Sequence, residues 1–218
     1  MSIKYKNIYF DLDGTIIDSG EGIVNSALYT LKAYDLNNYS IDQIKQTLIG
    51  PPLYDGLQKL TGIEDDKILT NMIKTFREEY SSTGVFQNKL FPDIKKMLET
   101  LYNFDCKMKI LTSKPEKFAK QIIEQHNLEK YFISISGAGE MDKNSSKSYK
   151  LGIETKYEKD ISLMIGDRVE DIIAGQENKI DTVAVTYGFY STSLLKKQKP
   201  TYCIDNVMDI VEVIQKKK

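Results

Sequence analysis

Short apolar runs recur along this chain, and each stops at a polar cluster. Asn7-Ile8-Tyr9-Phe10 runs into Asp11-Leu12-Asp13-Gly14-Thr15, Met108-Lys109-Ile110-Leu111 into Thr112-Ser113-Lys114-Pro115, and Ser162-Leu163-Met164-Ile165 into Gly166-Asp167. Runs of this length, bounded by Gly, Pro and hydroxyl residues, read as strands. Tyr131 to Ile135 and Thr182 to Val185 bring them to at least five. Helical patterns lie between them at Asp93 to Tyr102, Pro115 to His126, Lys147 to Ile153 and Glu170 to Glu177. Strands alternating with helices imply βαβ units, and hence an α/β fold with a doubly wound, Rossmann-like parallel sheet. Such sheets carry their sites at the carboxyl ends of the strands. Asp11, Thr112 and Asp167 all fall there, so one shared site is the economical reading.

The alternation breaks from Ile16 to Gln87. Glu21 to Tyr34, Ile41 to Leu48, Leu53 to Leu60 and Glu64 to Ser81 have the spacing of amphipathic helices. This predicts a small α-helical insert after the first strand, with residues 1–15 and 88–218 forming the core. Gly50-Pro51-Pro52 interrupts the insert as a rigid turn, and Ser81-Ser82-Thr83-Gly84 marks the return to the core.

Scarce residues exclude whole classes of chemistry. The 218 residues include one histidine, His126, two cysteines, Cys106 and Cys203, and no tryptophan. A histidine-rich zinc centre or an HExxH protease therefore has no ligands here. His126 has no G-x-S-x-G elbow to serve and reads as a helix residue. Two cysteines make no disulfide framework and suit a reducing compartment, where both read as buried strand-edge residues. Thirty basic against thirty-one acidic residues give a net charge of −1, which offers no footprint for nucleic acid. No apolar run approaches the roughly 20 residues of a membrane helix, and the N-terminus turns acidic where a signal peptide would be apolar. A cytoplasmic protein with neither nucleic-acid nor membrane partner is expected. Carboxylate, hydroxyl and lysine chemistry remains, and a metal in such a site would be a hard, oxygen-loving ion such as Mg²⁺.

Asp11 and Asp13, two apart, share a face at a strand end, where their repulsion calls for a cation or a shared proton. Asp167, in Gly166-Asp167-Arg168-Val169-Glu170-Asp171, adds a third carboxylate from another strand end. Asp171 could equally cap or precharge the N-terminus of the following helix, whereas for Asp167, at the turn itself, that is the poorer reading. Thr112 and Ser113 offer hydroxyls and N–H groups just ahead of a helix opening at Pro115, a favourable place for an anion. Lys147 could supply a fixed cation, although spacing alone does not choose among Lys143, Lys147 and Lys150. Ser145 or Ser146 reads as the cap of the helix that follows.

Asp11-Leu12-Asp13-Gly14-Thr15, then Thr112, a lysine near 147, and Gly166-Asp167 with Asp171, resemble the four ordered motifs of the haloacid dehalogenase-like hydrolases. The insert after the first motif, with Ile49-Gly50-Pro51-Pro52-Leu53, resembles the cap of the phosphoglycolate phosphatase-like branch. The resemblance implies a Mg²⁺-dependent phosphatase in which Asp11 is the nucleophile that becomes an aspartyl-phosphate. Asp13 would be the general acid and base. It further implies Mg²⁺ on Asp11, the Asp13 backbone carbonyl and Asp167, with Thr112 and Lys147 on phosphoryl oxygens and Asp171 behind them. The stretch from Asp142 to Lys150 departs from the family in being compressed and lysine-rich. The expected substrate is a small phosphorylated metabolite, handled by a monomer or homodimer. Tyr54, Lys59, Arg77 and Gln87 of the insert are candidates to contact the leaving group. Phosphoglycolate, nucleoside 5′-monophosphates, sugar phosphates and pyrophosphate all remain open.

Other readings compete. A sugar-phosphate mutase on the same fold would return the phosphoryl group to a sugar. A dehalogenase would leave Asp13 without a task. A phospho-accepting signalling module uses similar residues, but on a shorter domain and with its acceptor on a later strand. The lifetime of the phosphoenzyme separates an enzyme from such a switch.

Overall fold

The computed structural model describes residues 3–49, 51–138 and 146–215. In chain order the elements are β1 (Asn7–Phe10), β2 (Ile17–Asp18), α1 (Gly20–Ala33), α2 (Ile41–Leu48), α3 (Leu53–Thr61) and α4 (Asp66–Ser82). There follow β3 (Lys89–Leu90), α5 (Ile94–Asn103), β4 (Lys107–Pro115), α6 (Glu116–Gln125), β5 (Phe132–Ala138) and α7 (Lys147–Glu154). The chain closes with β6 (Ser162–Gly166), α8 (Val169–Glu177), β7 (Asp181–Val185), α9 (Thr192–Lys197), β8 (Tyr202–Ile204) and α10 (Asp209–Gln215). It divides into two compact units, Met1–Asp18 with Leu90–Lys218, and Ser19–Lys89. The division falls a few residues beyond the sequence-based limits of Ile16 and Gln87.

The first unit is built on a six-stranded sheet of order β5-β4-β1-β6-β7-β8, in which every pairing is parallel. The strands are flanked by helices, as the alternation predicts. After β1 the chain builds outward through β4 to β5, then crosses back to lay down β6, β7 and β8 on the other side. The winding direction therefore reverses beside β1, at the point where such sheets open a crevice. Phe10 is in register with Ile110 on one side and Ile165 on the other. Asp11, Thr112 and Asp167 thus emerge side by side from three adjacent strands.

Burial explains which runs the sequence displays clearly. All four residues of β1 and all five of β6 are buried, as expected for central strands covered on both faces. On one face Tyr9, Leu111 and Met164 pack with Leu151 of α7 and with Ala174 and Ile180. Edge strands β5 and β8 are less apolar or shorter. The first begins at Phe132, one residue later than expected, and extends to Ala138 through Ser134, Ser136 and Gly137. The second has only three residues. Cys106 is buried, but Cys203 is exposed in β8, contrary to the expectation for both, because an edge strand leaves one face open.

The second unit holds α1 to α4. Ser40 caps α2 through a reciprocal pair with Gln43, in which the Gln43 N–H donates to Ser40 Oγ at 3.2 Å and the Ser40 N–H to Gln43 Oε1 at 2.8 Å. Asp65 caps α4 by accepting from the Lys67 and Ile68 N–H groups. Two of the proposed leaving-group contacts are tied within this unit. Tyr54 donates to Asp66, and Gln87 accepts from Asn25 at 3.0 Å. Gly50 lies outside the described residues.

Candidate active site

Asp11 is the first residue beyond β1, and its N–H still belongs to the sheet, donating to Ile165 O at 2.9 Å. The side chain is buried, and its Oδ1 accepts from the Leu12 N–H at 2.8 Å and lies 3.1 Å from Lys147 Nζ. Lys147 reaches it because Ser146 caps α7, accepting the Tyr149 N–H at 3.1 Å, which makes Lys147 the first helical residue. The same ammonium donates to Asp171. Ser145 and Lys143, the alternatives on sequence, lie outside the described residues.

Asp171 is fully buried and holds two donors, Lys147 Nζ and the Arg168 N–H at 3.0 Å. It therefore also caps α8, and its two sequence readings coincide. Burial raises the pKa of Asp171, and Lys147 pulls it back down. Burial alone would strip the proton from Lys147, but the Asp11 and Asp171 carboxylates outweigh it and raise the ammonium's pKa.

Asp167 closes the cluster. Carboxylate oxygens of Asp11, Asp167 and Asp171 lie within 4.8 Å of one another. The Asp167 Oδ2 accepts the Phe189 N–H at 2.8 Å, whereas Oδ1 is buried and has no hydrogen-bond partner among the described residues. Burial first, and then the charges of Asp11 and Asp171, push the Asp167 carboxyl up to about 8. An orphaned carboxylate oxygen facing two more carboxylates fits an ion that prefers oxygen ligands, and Mg²⁺ suits this donor set. Gly14 permits the crowding. Its φ of +79° is one that L side chains rarely adopt, and a Cβ there would stand 2.2 Å from Asp167 Oδ2.

This cluster carries a pH signature. A carboxyl raised in the fold contributes stability below its unfolded pKa, near 4, and loses that contribution as pH climbs through about 8. Chelated wild-type protein is therefore expected to lose stability relative to Asp167→Asn between pH 5 and 8, with the gap levelling above that range. Thermal melts of both proteins across that range check this, and a pH-independent gap would sink it.

Asp13 turns elsewhere. Its carboxylate accepts from Lys114 Nζ through both oxygens, at 2.9 and 3.0 Å, and Lys114 is almost wholly buried. Sequence reasoning passed over Lys114. The available signal was its position two residues beyond Thr112, which on an extended chain returns it to the same face. The polar cluster expected after β4 is in fact part of it. Strand pairing runs on through Pro115, with a register shift between Leu111 and Pro115.

Thr112 is buried and accepts the Lys114 N–H at 3.2 Å. Thr112, exposed Ser113, Ala138, Ser146, Lys147 and Lys150 border a cavity of about 150 Å³. Lys150 donates to Gly137 O at 2.5 Å, so it ties α7 to the end of β5. His126 is the C-cap of α6, with burial lowering its pKa.

Buried carboxylates and lysines at the winding reversal of a doubly wound sheet are the equipment of a hydrolase acting on phosphate esters. Residues 8–185 match the family model of haloacid dehalogenase-like hydrolases, and the chain belongs to that family. It is 30% identical over 213 residues to a 5′-nucleotidase of Pseudomonas aeruginosa, covering 94% of this chain and 93% of that one. It is 27% identical over 219 residues to a phosphoglycolate phosphatase of Vibrio parahaemolyticus, covering 96% of each. The crystal structure of a predicted phosphatase from Clostridium acetobutylicum superimposes with a TM-score of 0.85 at 32% identity, covering 95% of this chain and 97% of that one. The protein is thus a hydrolase acting on phosphate esters. No helix among the described residues is long and apolar enough to cross a membrane.

Proposed function

We propose that the protein is a Mg²⁺-dependent phosphomonoesterase that works through an aspartyl-phosphate on Asp11. The observation that carries this reading is the buried Asp11 carboxylate, held by Lys147 beside Asp167, whose Oδ1 lacks a partner among the described residues. Asp11, the Asp13 backbone carbonyl and Asp167 would hold the ion, and Asp171 would stand behind them. When bound, Mg²⁺ supplies the positive charge that lets an anionic nucleophile approach an anionic phosphoryl group.

The protein's own groups do the rest. An Asp11 oxygen attacks phosphorus as the bond to the leaving oxygen breaks, and Asp13 gives that oxygen its proton. Asp13 then takes a proton from water, whose oxygen attacks the phosphorus of the acyl phosphate. Phosphate leaves and the Asp11 carboxylate is restored. Lys147, Thr112 and Ser113 hold the phosphoryl oxygens during both displacements. Lys114 fixes the Asp13 carboxylate by both oxygens, so the group that moves the proton has a defined direction.

Selectivity is proposed to rest on the helical unit, because every residue assigned to the chemistry belongs to the other one. The relatives carry names for different substrates, so membership of the family does not choose among them. A panel of phosphoglycolate, nucleoside 5′-monophosphates, sugar phosphates and pyrophosphate, scored by released phosphate, tests the reading. EDTA is expected to silence turnover and Mg²⁺ to restore it. Ca²⁺ should restore little, because its longer bonds and looser coordination disturb in-line geometry. Undiminished activity in excess chelator would overturn the metal assignment, and a phosphoenzyme that forms without turning over would favour a switch.

A further inference from the structure

The loop that follows β7, Thr186-Tyr187-Gly188-Phe189-Tyr190, contains none of the residues assigned to the chemistry, yet it meets both acidic strand ends. The Phe189 N–H donates to Asp167 Oδ2 at 2.8 Å. Tyr187 OH donates to Thr15 O at 3.0 Å, and its ring packs on Phe91 with centroids 5.0 Å apart. Gly188 lies between the two ends. A Cβ on it would stand 2.3 Å from Asp167 Cβ and 2.4 Å from Gly14 O. Asp167 is therefore hemmed in by glycines of two loops, and among the described residues its Oδ1 has no partner.

We infer that this loop is a clamp that positions the metal ligand Asp167, reserving Oδ2 for the Phe189 amide and presenting Oδ1 alone to the divalent ion. The inference rests on the Mg²⁺ reading above and adds an element to it. Asp167 can rotate about its side-chain bonds, and a carboxylate free to turn would offer the ion either oxygen or both. A peptide N–H on one oxygen removes that freedom, as groups behind metal ligands commonly do. Tyr187 anchors the loop to the backbone that carries Asp11 and Asp13. The clamp thus sets the spacing between ligands from two strands.

The test measures Mg²⁺ binding directly, by calorimetric titration of the full-length protein without substrate, alongside kcat at saturating Mg²⁺. Gly188→Ala is expected to weaken Mg²⁺ binding roughly 10- to 100-fold, the range typical of lost support behind a ligand. Tyr187→Phe keeps the ring on Phe91 and removes only the hydroxyl, which makes it the variant expected to fold without difficulty. It should weaken binding by a smaller factor, with kcat at saturating metal largely retained. A merely structural loop would lower the melting temperature and leave the metal affinity of the folded protein unchanged. Wild-type affinity in folded Tyr187→Phe and Gly188→Ala overturns the clamp alone. Wild-type protein that takes up no Mg²⁺ overturns the functional reading, and the clamp with it.

Discussion

Asp11→Asn should reduce phosphatase activity by at least about a thousandfold, the scale of loss expected when a nucleophile is deleted, while the protein remains folded. The two outcomes separate because the substitution also removes a charge that has two carboxylate neighbours. Asp11 is buried beside Asp167 and Asp171, and its charge helps to push the Asp167 carboxyl up. Removing that charge costs an ion pair with Lys147 but relieves repulsion from two neighbours. Lys147 keeps its pairing with Asp171. The chelated variant is therefore expected to melt no lower than chelated wild type. Phosphate release and circular dichroism melts on the same preparation check both halves. A folded Asp11→Asn protein with more than about a tenth of wild-type kcat would remove the covalent role, because a true nucleophile cannot be spared so cheaply.

Lys147→Met should be the more damaging substitution for the fold. It keeps the length of the side chain but deletes the cation that Asp11 and Asp171 share, and Asp171 is fully buried. Breaking a buried pair by removing one partner costs about 3–5 kcal/mol, because a charge is left uncompensated. For a chain of this size that corresponds to a fall in melting temperature of roughly 10 °C. The cost should shrink at acidic pH. Burial already raises the pKa of Asp171, and without Lys147 the carboxyl can escape its predicament by taking a proton. Melts at pH 8 and pH 5 are the measurement. A defect of equal size at both would mean that lost packing, and not a stranded carboxylate, is what the substitution costs.

The parts of this protein legible in its sequence were those written in side chains with a strong local pattern. β1 and β6 are buried on both faces, so their residues read as unbroken apolar runs, and the acidic groups that follow stood out. The first motif, the glycine-aspartate turn and the helical insert could all be read in this way. Other features depend on relations that no local pattern carries. The alliance of Lys114 with Asp13 joins residues 101 apart in sequence. Asp171 could be assigned to a helix cap or to the acidic cluster, and it belongs to both because one of its oxygens accepts from the Arg168 N–H and the other from Lys147. The Phe189 contact to Asp167 uses a backbone amide, which every residue but proline possesses, so the identity of the side chain gave no hint of it. β8 escaped notice because three residues at an exposed edge need little hydrophobicity.

The order in which the sheet is wound has a consequence for biogenesis. β1 leaves the ribosome ahead of the other strands of its sheet, but Asn7 pairs with Lys107 on one side and Ser162 on the other. Until β4 is made, then, this buried strand has two bare edges, and until β6 is made it has one, a condition that invites pairing with foreign chains. Contacts so distant in sequence also form slowly once the chain is free, since a long loop must close before either edge is satisfied. Ser19–Lys89, by contrast, is made of helices whose hydrogen bonds are local, and it emerges directly behind β1. A nascent chain stalled before residue 162 would hold the helical unit and a β1 with one edge still bare, with no Asp167 to complete the acidic cluster. Newly made protein should therefore lean on chaperones until β6 arrives, and only then does the acidic cluster become complete.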